Sequence, residues 1–226
     1  MLRTVDLFIT VEEKKNMSEI RIKGLVVGMV GTNCYLVYDN ETKRAAVIDP
    51  GDSADKIVNM AASLELKPEA ILLTHGHFDH MMAAKDLKEA WNVPVYACEK
   101  EVEVLADSRK SLVTNYYREP YTLTPDVTVK EGDELSIAGF TWKVFETPGH
   151  TIGSCCYYIE KESVLFSGDT LFAGSYGRTD FPTGSGRQIA ESVRRLLSTL
   201  PDDTMVYPGH MDTTTIGFEK KYNPLS

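Results

Sequence analysis

The chain has 226 residues, a formal net charge of −9 and 42% hydrophobic residues, enough to bury a substantial core without disulfides. The acidic balance disfavours nucleic acid as a partner, because an extended phosphate backbone is met by a basic face. No apolar run approaches the roughly 18 residues of a membrane span, so no membrane association is expected.

Residues 1–16 hold a short apolar stretch followed by Glu12-Glu13-Lys14-Lys15. They lack the basic start, long apolar core and small-residue cleavage site of a signal peptide, and read as an extension outside the folded unit. Strands are predicted at residues 20–27, 33–38 and 44–48, with Asp39-Asn40-Glu41-Thr42 and Asp49-Pro50-Gly51 as stops. Ile57, Val58, Ala61 and Leu64 recur at helical spacing and predict a helix over residues 54–64, capped by Asp52 or Ser53. Residues 70–74 are a short, continuously apolar strand of the kind buried on both faces. A helix over 79–91, a strand at 94–97 and a short helix at 100–107 follow. Residues 107–124 read as a loop with room for helical turns, whose Tyr116, Tyr117 and Tyr121 pack on the surface rather than line a pocket. Strand patterning resumes at 127–130, 134–137, 140–145, 154–159 and 163–167. A helix at 186–200, a strand at 205–207 and a helix at 213–221 close the chain. Strands and helices thus come in two successive sets, which implies two sheets face to face with helices outside. The expected architecture is an α/β fold, a four-layer αββα sandwich, in a single domain over residues 17–226.

Cys34, Cys98, Cys155 and Cys156 show no CxxC spacing, and the last two are adjacent. They read as small buried strand residues rather than disulfides or thiolate ligands, which points to a reducing, cytoplasmic setting.

The chain holds only five histidines, and their positions carry the chemistry. His75, His77 and His80 crowd Thr74-His75-Gly76-His77-Phe78-Asp79-His80, between a buried strand and a helix. Two residues apart in an extended segment, His75 and His77 project to one side. A lone histidine is usually structural, but three imidazoles and Asp79 at one strand end need a common purpose. Neutral imidazole and carboxylate are good ligands for first-row metals. His150 and His210 each end a strand through the same Pro-Gly-His turn, and Asp169 follows another strand in Ser167-Gly168-Asp169. Seven such groups exceed what one tetrahedral ion takes. Two ions sharing a carboxylate would use them all, and such a pair can hold a bridging hydroxide.

These motifs resemble those of the metallo-β-lactamase superfamily, and within it the hydroxyacylglutathione hydrolase (glyoxalase II) type. The likeness runs from Gly31-Thr32-Asn33-Cys34-Tyr35 to Asn223-Pro224 and rests on Asp49, His75-x-His77-x-Asp79-His80, His150, Asp169 and His210. It implies that His75, His77 and His150 bind one metal, that Asp79, His80 and His210 bind a second, and that Asp169 bridges them. Zinc is the first expectation for both ions, with iron or manganese as alternatives. Asp79 is further expected to act in catalysis by orienting the hydroxide, and Asp49 to support the ligands from behind, against the plainer reading of an Asp-Pro turn. The stretch 174–181 also resembles this branch. Tyr176 and Arg178 are its candidate substrate contacts, Arg178 alternatively pairing with Asp180. Full glyoxalase II enzymes carry a further helical domain that contacts glutathione, whereas this chain ends at Ser226, soon after His210; the compact, single-domain bacterial type is therefore expected.

The implied activity is attack of the bridging hydroxide on a thioester or related acyl bond, for example in S-lactoylglutathione. The alternative is a persulfide dioxygenase of the same fold with a single iron; a lactone or phosphodiester hydrolase and a non-enzymatic metal-binding protein rank lower. The expected partner is a small acyl or thioester substrate. Oligomeric state is not legible from the sequence.

Overall fold

A computed structural model describes residues 19–226 of the chain, so the extension expected at residues 1–16 lies outside the described residues. Strand β1 (Ile20–Val27) pairs antiparallel with β2 (Thr32–Asp39). The hairpin between them turns through Gly28 and Gly31 at φ of 70° and 74°, a region open to glycine without a Cβ clash. Next to β2 runs β3 (Arg44–Ile48), followed in parallel by β4 (Lys67–Leu72), β5 (Val95–Cys98) and β6 (Val127–Val129).

The second sheet is built from β7 (Glu134–Ile137), β8 (Phe140–Glu146), β9 (Cys155–Ile159), β10 (Val164–Gly168), β13 (Met205–Pro208) and β14 (Thr214–Thr215). Its order is β14-β13-β10-β9-β8-β7, with only β10 and β13 parallel. A two-stranded ribbon of β11 (Leu171–Phe172) and β12 (Ser175–Tyr176) stands apart.

Alternation along the central strands explains why both faces of each sheet are covered. Leu36, Val47 and Ile71 face Ile57 of α1 (Ala54–Ser63) and Leu87 of α3 (Ala84–Trp91) in one apolar cluster. Their neighbours Val37, Ile48 and Leu72 turn the other way, into a cluster with Trp142, Tyr157 and Phe166 of the second sheet. Tyr158, Leu165 and Val206 line the far side of that sheet. There they meet Ile189, Val193 and Leu196 of α6 (Gly186–Thr199) and Ile216 of α7 (Ile216–Tyr222). Three apolar seams between four layers are the expected αββα sandwich. Each fully buried side chain of this size contributes on the order of 1.5–3 kcal/mol of transfer free energy. Among the described residues no helix is long and apolar enough to cross a membrane.

Two local expectations change. The helix predicted over 79–91 is two helices, α2 (Phe78–Met81) and α3, because the Ala83 N–H leaves the helical ladder and donates to Pro50 O at 3.0 Å. Ser53 sits at the start of α1 but does not cap it through its side chain; its hydroxyl bonds Asp52 Oδ1 at 2.8 Å instead. The loop over 107–124, expected to leave room for helical turns, contains one, α5 (Val113–Tyr116). A 3-10 turn at Glu99–Glu101 leads into α4 (Val102–Leu105) directly after β5.

Candidate metal centre

Each of the seven singled-out groups stands just beyond a strand or on the turn that follows it. His75 and His77 follow β4, with Asp79 and His80 on α2; His150 follows β8, Asp169 follows β10 and His210 follows β13. The two sheets meet along this rim, so ligands far apart in sequence face one another. The ring centroids of His75, His77 and His150 lie 4.6–4.8 Å apart. The His80 ring is 4.0 Å from His75 and 5.4 Å from His210. Potential ligand atoms fall into three close groups: His75, His77 and His150; Asp79, His80 and His210; and His75, His80 and Asp169.

Asp169 reaches both sides. Its Oδ2 is 3.5 Å from His150 Nε2 and 3.6 Å from His210 Nε2, while Oδ1 is 3.4 Å from His80 Nε2. Asp79 Oδ2 lies 3.1 Å from His210 Nε2 and 3.4 Å from His80 Nε2. Close backbone approach makes this density possible. A Cβ on Gly209 would stand 2.3 Å from Asp169 Oδ1, and one on Gly51 would stand 1.4 Å from Asp79 O.

The donor set fits a metal. Buried polar atoms almost always find partners, yet His75 Nε2, His77 Nε2, His80 Nε2 and Asp169 Oδ1 are buried and make no hydrogen bond. His150 Nδ1 sits 2.7 Å from Arg178 O, so it carries the proton and leaves Nε2 as a lone pair. That lone pair faces His77 Nδ1 at 2.9 Å. Two ring nitrogens this close need a proton or a cation between them. Burial pushes His75 and His77 well below the ordinary imidazole range, and neighbouring histidines add to it. His150 is lowered too, burial outweighing the attraction of Asp169. These three rings are therefore neutral, as metal ligands must be. His80 behaves oppositely: burial disfavours its cation, but Asp79, Asp169 and Asp49 together hold its pKa well above the ordinary value. Burial likewise opposes the Asp79 carboxylate, and His80 and His210 override it to hold Asp79 ionised.

Behind the ligands, Asp49 accepts from Thr74 N at 2.8 Å and from Thr74 Oγ1 at 2.6 Å. Its Oδ2 is 3.0 Å from His80 Nδ1, an ion-pair contact off line for a straight hydrogen bond. Asp49 thus stands in the Asp-Pro turn, at φ 49°, with its carboxylate against His80. Two groups escaped the sequence reading. Thr32 Oγ1 donates to Asp79 Oδ2 at 2.7 Å; the Gly31-Thr32 turn beside the hairpin was its only signal. Glu101 is fully buried beneath the ligand loops, and an ordinary Glu-Lys-Glu run disguised it.

The rim opens into a cavity of about 390 Å³ walled by Val30, Phe78, Leu112, Phe172, Phe181 and Met211, with Tyr176 and Arg178 also on its lining. Arg178 is engaged: Nε and a terminal nitrogen bond Asp180 at 2.7 and 2.6 Å, and the guanidinium lies 4.0 Å over the Phe181 ring. Of the tyrosines expected on the surface, Tyr116 stacks on Phe78 at 4.3 Å and joins the cavity wall. Tyr121 instead donates to Met81 O at 3.1 Å, away from it.

Comparison with known proteins adds four likenesses. A model of the metallo-beta-lactamase superfamily matches residues 27–210. The hydroxyacylglutathione hydrolase GloC of Haemophilus influenzae is 37% identical over 195 residues, covering 85% of this chain and 92% of that protein. Among solved structures, the BLEG-1 B3 metallo-beta-lactamase superposes with a TM-score of 0.85 at 39% identity, covering 90% of this chain and 98% of that one. The protein TTHA1623, solved in a di-iron-bound form, superposes with a TM-score of 0.81 at 35% identity, covering 90% and 100%.

Proposed function

The chain belongs to the metallo-β-lactamase superfamily, and from that membership we propose that it is a dinuclear metallohydrolase cleaving a thioester or related acyl bond. The observation that carries the reading is Asp169, whose two oxygens face His150 on one side and His80 on the other. In this reading His75, His77 and His150 hold one divalent ion, Asp79, His80 and His210 hold a second, and Asp169 is shared. When bound, such a pair supplies a hydroxide nucleophile at neutral pH and polarises the acyl carbonyl.

The chain's own residues do the rest. Thr32 and His210 both touch Asp79 Oδ2, fixing an ionised carboxylate that accepts a hydrogen bond from the attacking water and orients it. The Arg178 carbonyl fixes the His150 tautomer, and Asp49 does the same for the position of His80. The apolar cavity walls exclude bulk water and receive the acyl part of the substrate. Arg178 is the lysine or arginine on that lining, so a carboxylate on the thiol side would have to compete with Asp180 for it. The likeness to GloC supports a glutathione thioester, with zinc as the first metal and iron favoured next by the di-iron relative. Four buried cysteines without disulfides agree with a reducing, cytoplasmic setting.

One observation favours a second reading. His75, His80 and Asp169 also form a two-histidine, one-carboxylate group, the type that holds a single iron for oxygen chemistry. The test is direct. Metal-loaded protein should hydrolyse S-lactoylglutathione, lose that activity to a chelator and regain it with zinc. Rapid oxygen uptake with glutathione persulfide, without thioester cleavage, would replace the hydrolase by the dioxygenase.

A further inference from the structure

Glu101 occupies an unusual position for a carboxylate. It is 0% exposed, lies in the 3-10 turn between β5 and α4, and pairs with no lysine or arginine among the described residues. Its partners are instead donors from two separate loops. Oε1 accepts the Gly76 N–H at 2.7 Å. Oε2 accepts the Gly153 N–H at 2.8 Å and the Thr151 hydroxyl at 2.9 Å. Gly76 lies between His75 and His77, on the loop after β4 of the first sheet. Thr151 and Gly153 follow His150, on the loop after β8 of the second sheet. One carboxylate therefore joins the two pieces of chain that carry the all-imidazole group, and it does so across the junction of the sheets.

The surroundings are shaped around this contact. A Cβ on Gly153 would stand 2.2 Å from the Glu101 backbone nitrogen, and one on Gly76 would stand 3.0 Å from Leu105 and 3.2 Å from Glu101 Oε1. Both loops thus lie directly on the Glu101 turn, with no room for a side chain between. Thr151 is itself braced, its hydroxyl 2.7 Å from Ser154 Oγ and its N–H bonded to the same oxygen at 3.1 Å. Burying a carboxylate is costly: desolvation lifts Glu101 to about 7, while its hydrogen bonds to Gly76, Thr151 and Gly153 favour the ionised form. An apolar side chain would fill the same space without that cost but could not hold two loops together.

We propose that Glu101 is the positioning residue of the three-histidine group: its carboxylate sets the separation of the His75–His77 loop from the His150 loop, and so the metal affinity of that group alone. The inference rests on the two-ion reading above. Buried partners that orient ligands from behind change metal affinity by about 10–100-fold when removed. Glutamine is the informative replacement. It keeps the shape and one acceptor oxygen but turns an amide NH2 toward an N–H donor on one loop, so one strut becomes a repulsion.

The test is calorimetric titration of the metal-free full chain with zinc, combined with thermal melts of the same samples. Wild type should take up two ions per chain. In a H210A background, which leaves the three-histidine group complete, E101Q should weaken zinc binding by about 10–100-fold. In a H150A background, which leaves Asp79, His80 and His210, E101Q should change affinity by less than about twofold, because Glu101 has no hydrogen-bond partner in that group. Its exposed neighbour in E103Q should change neither. With cobalt in place of zinc, E101Q should alter the visible absorption of the H210A protein and leave that of the H150A protein unchanged. Equal weakening in both backgrounds, or a lower melting temperature with both affinities intact, would reduce Glu101 to a core-packing residue and overturn the inference. A wild type that binds fewer than two ions would overturn the two-ion reading itself, a result visible before any Glu101 variant is measured.

Discussion

The two halves of the histidine and aspartate cluster are held by opposite electrostatics. His75, His77 and His150 are almost wholly buried, at 1–2% exposure, and their neutral state is enforced by burial and by one another. Asp79, His80 and His210 form a mixed set in which carboxylates hold protons on the imidazoles, and His210 keeps 22% of its side chain exposed. The first half is ready for a cation as it stands. The second must surrender protons to take one, because a dication and an imidazolium compete for the same lone pair. The halves also differ in what braces them: backbone donors converge on Glu101 behind the first, whereas side chains of Asp49 and Thr32 stand behind the second.

Removing a ligand from either half is the severest way to challenge this division. His77→Ala should lower hydrolysis about a thousandfold or more, the loss of several kcal/mol of transition-state stabilisation. Circular dichroism should show the fold retained, since the four layers are packed elsewhere; unchanged turnover would break the assignment. Asp49→Asn should act on the second half, lowering metal affinity or activity there by about 10–100-fold. A chelator-competition assay that finds the three-histidine group weakened instead would reverse the comparison.

Acidity separates the halves further. The raised pKa values of His80 and His210 favour protons on them in the metal-free chain, so filling the second half should release protons. Its affinity should fall as pH drops from 8 to 6, while the first half, with lowered pKa values, should vary less. A pH-stat titration with zinc that records no proton release would contradict this. The smallest effect concerns the rim. Asp180→Asn frees the exposed Arg178 from its carboxylate partner, a contact that water screens strongly. The KM for S-lactoylglutathione should fall up to about fivefold, with little change for an uncharged thioester; equal changes for both would remove Arg178 from substrate recognition.

The clustering of the imidazole groups on one rim was legible because five histidines were concentrated at strand ends and two of them ended identical Pro-Gly-His turns. The layers were legible because neighbours such as Leu36 and Val37, or Ile71 and Leu72, are apolar in pairs and so serve two seams. What stayed hidden depended on contacts between distant segments. The break before α3 exists because Ala83 bonds Pro50, which no local pattern around 79–91 reveals. The β11–β12 ribbon is too short to carry a period. Thr32 and Glu101 have ordinary neighbours, and only the folded chain brings them against Asp79 and Gly76. Arg178 had two equal readings, and only the folded chain shows its bidentate contact with Asp180.

Crystals of the zinc-loaded chain measured at the zinc absorption edge address the shared centre most directly. The expected map has two anomalous peaks: one about 2.0–2.1 Å from nitrogens of His75, His77 and His150, the other at similar range from Asp79, His80 and His210, with Asp169 touching both. A lone peak, or zinc bound away from Asp169, would contradict the account.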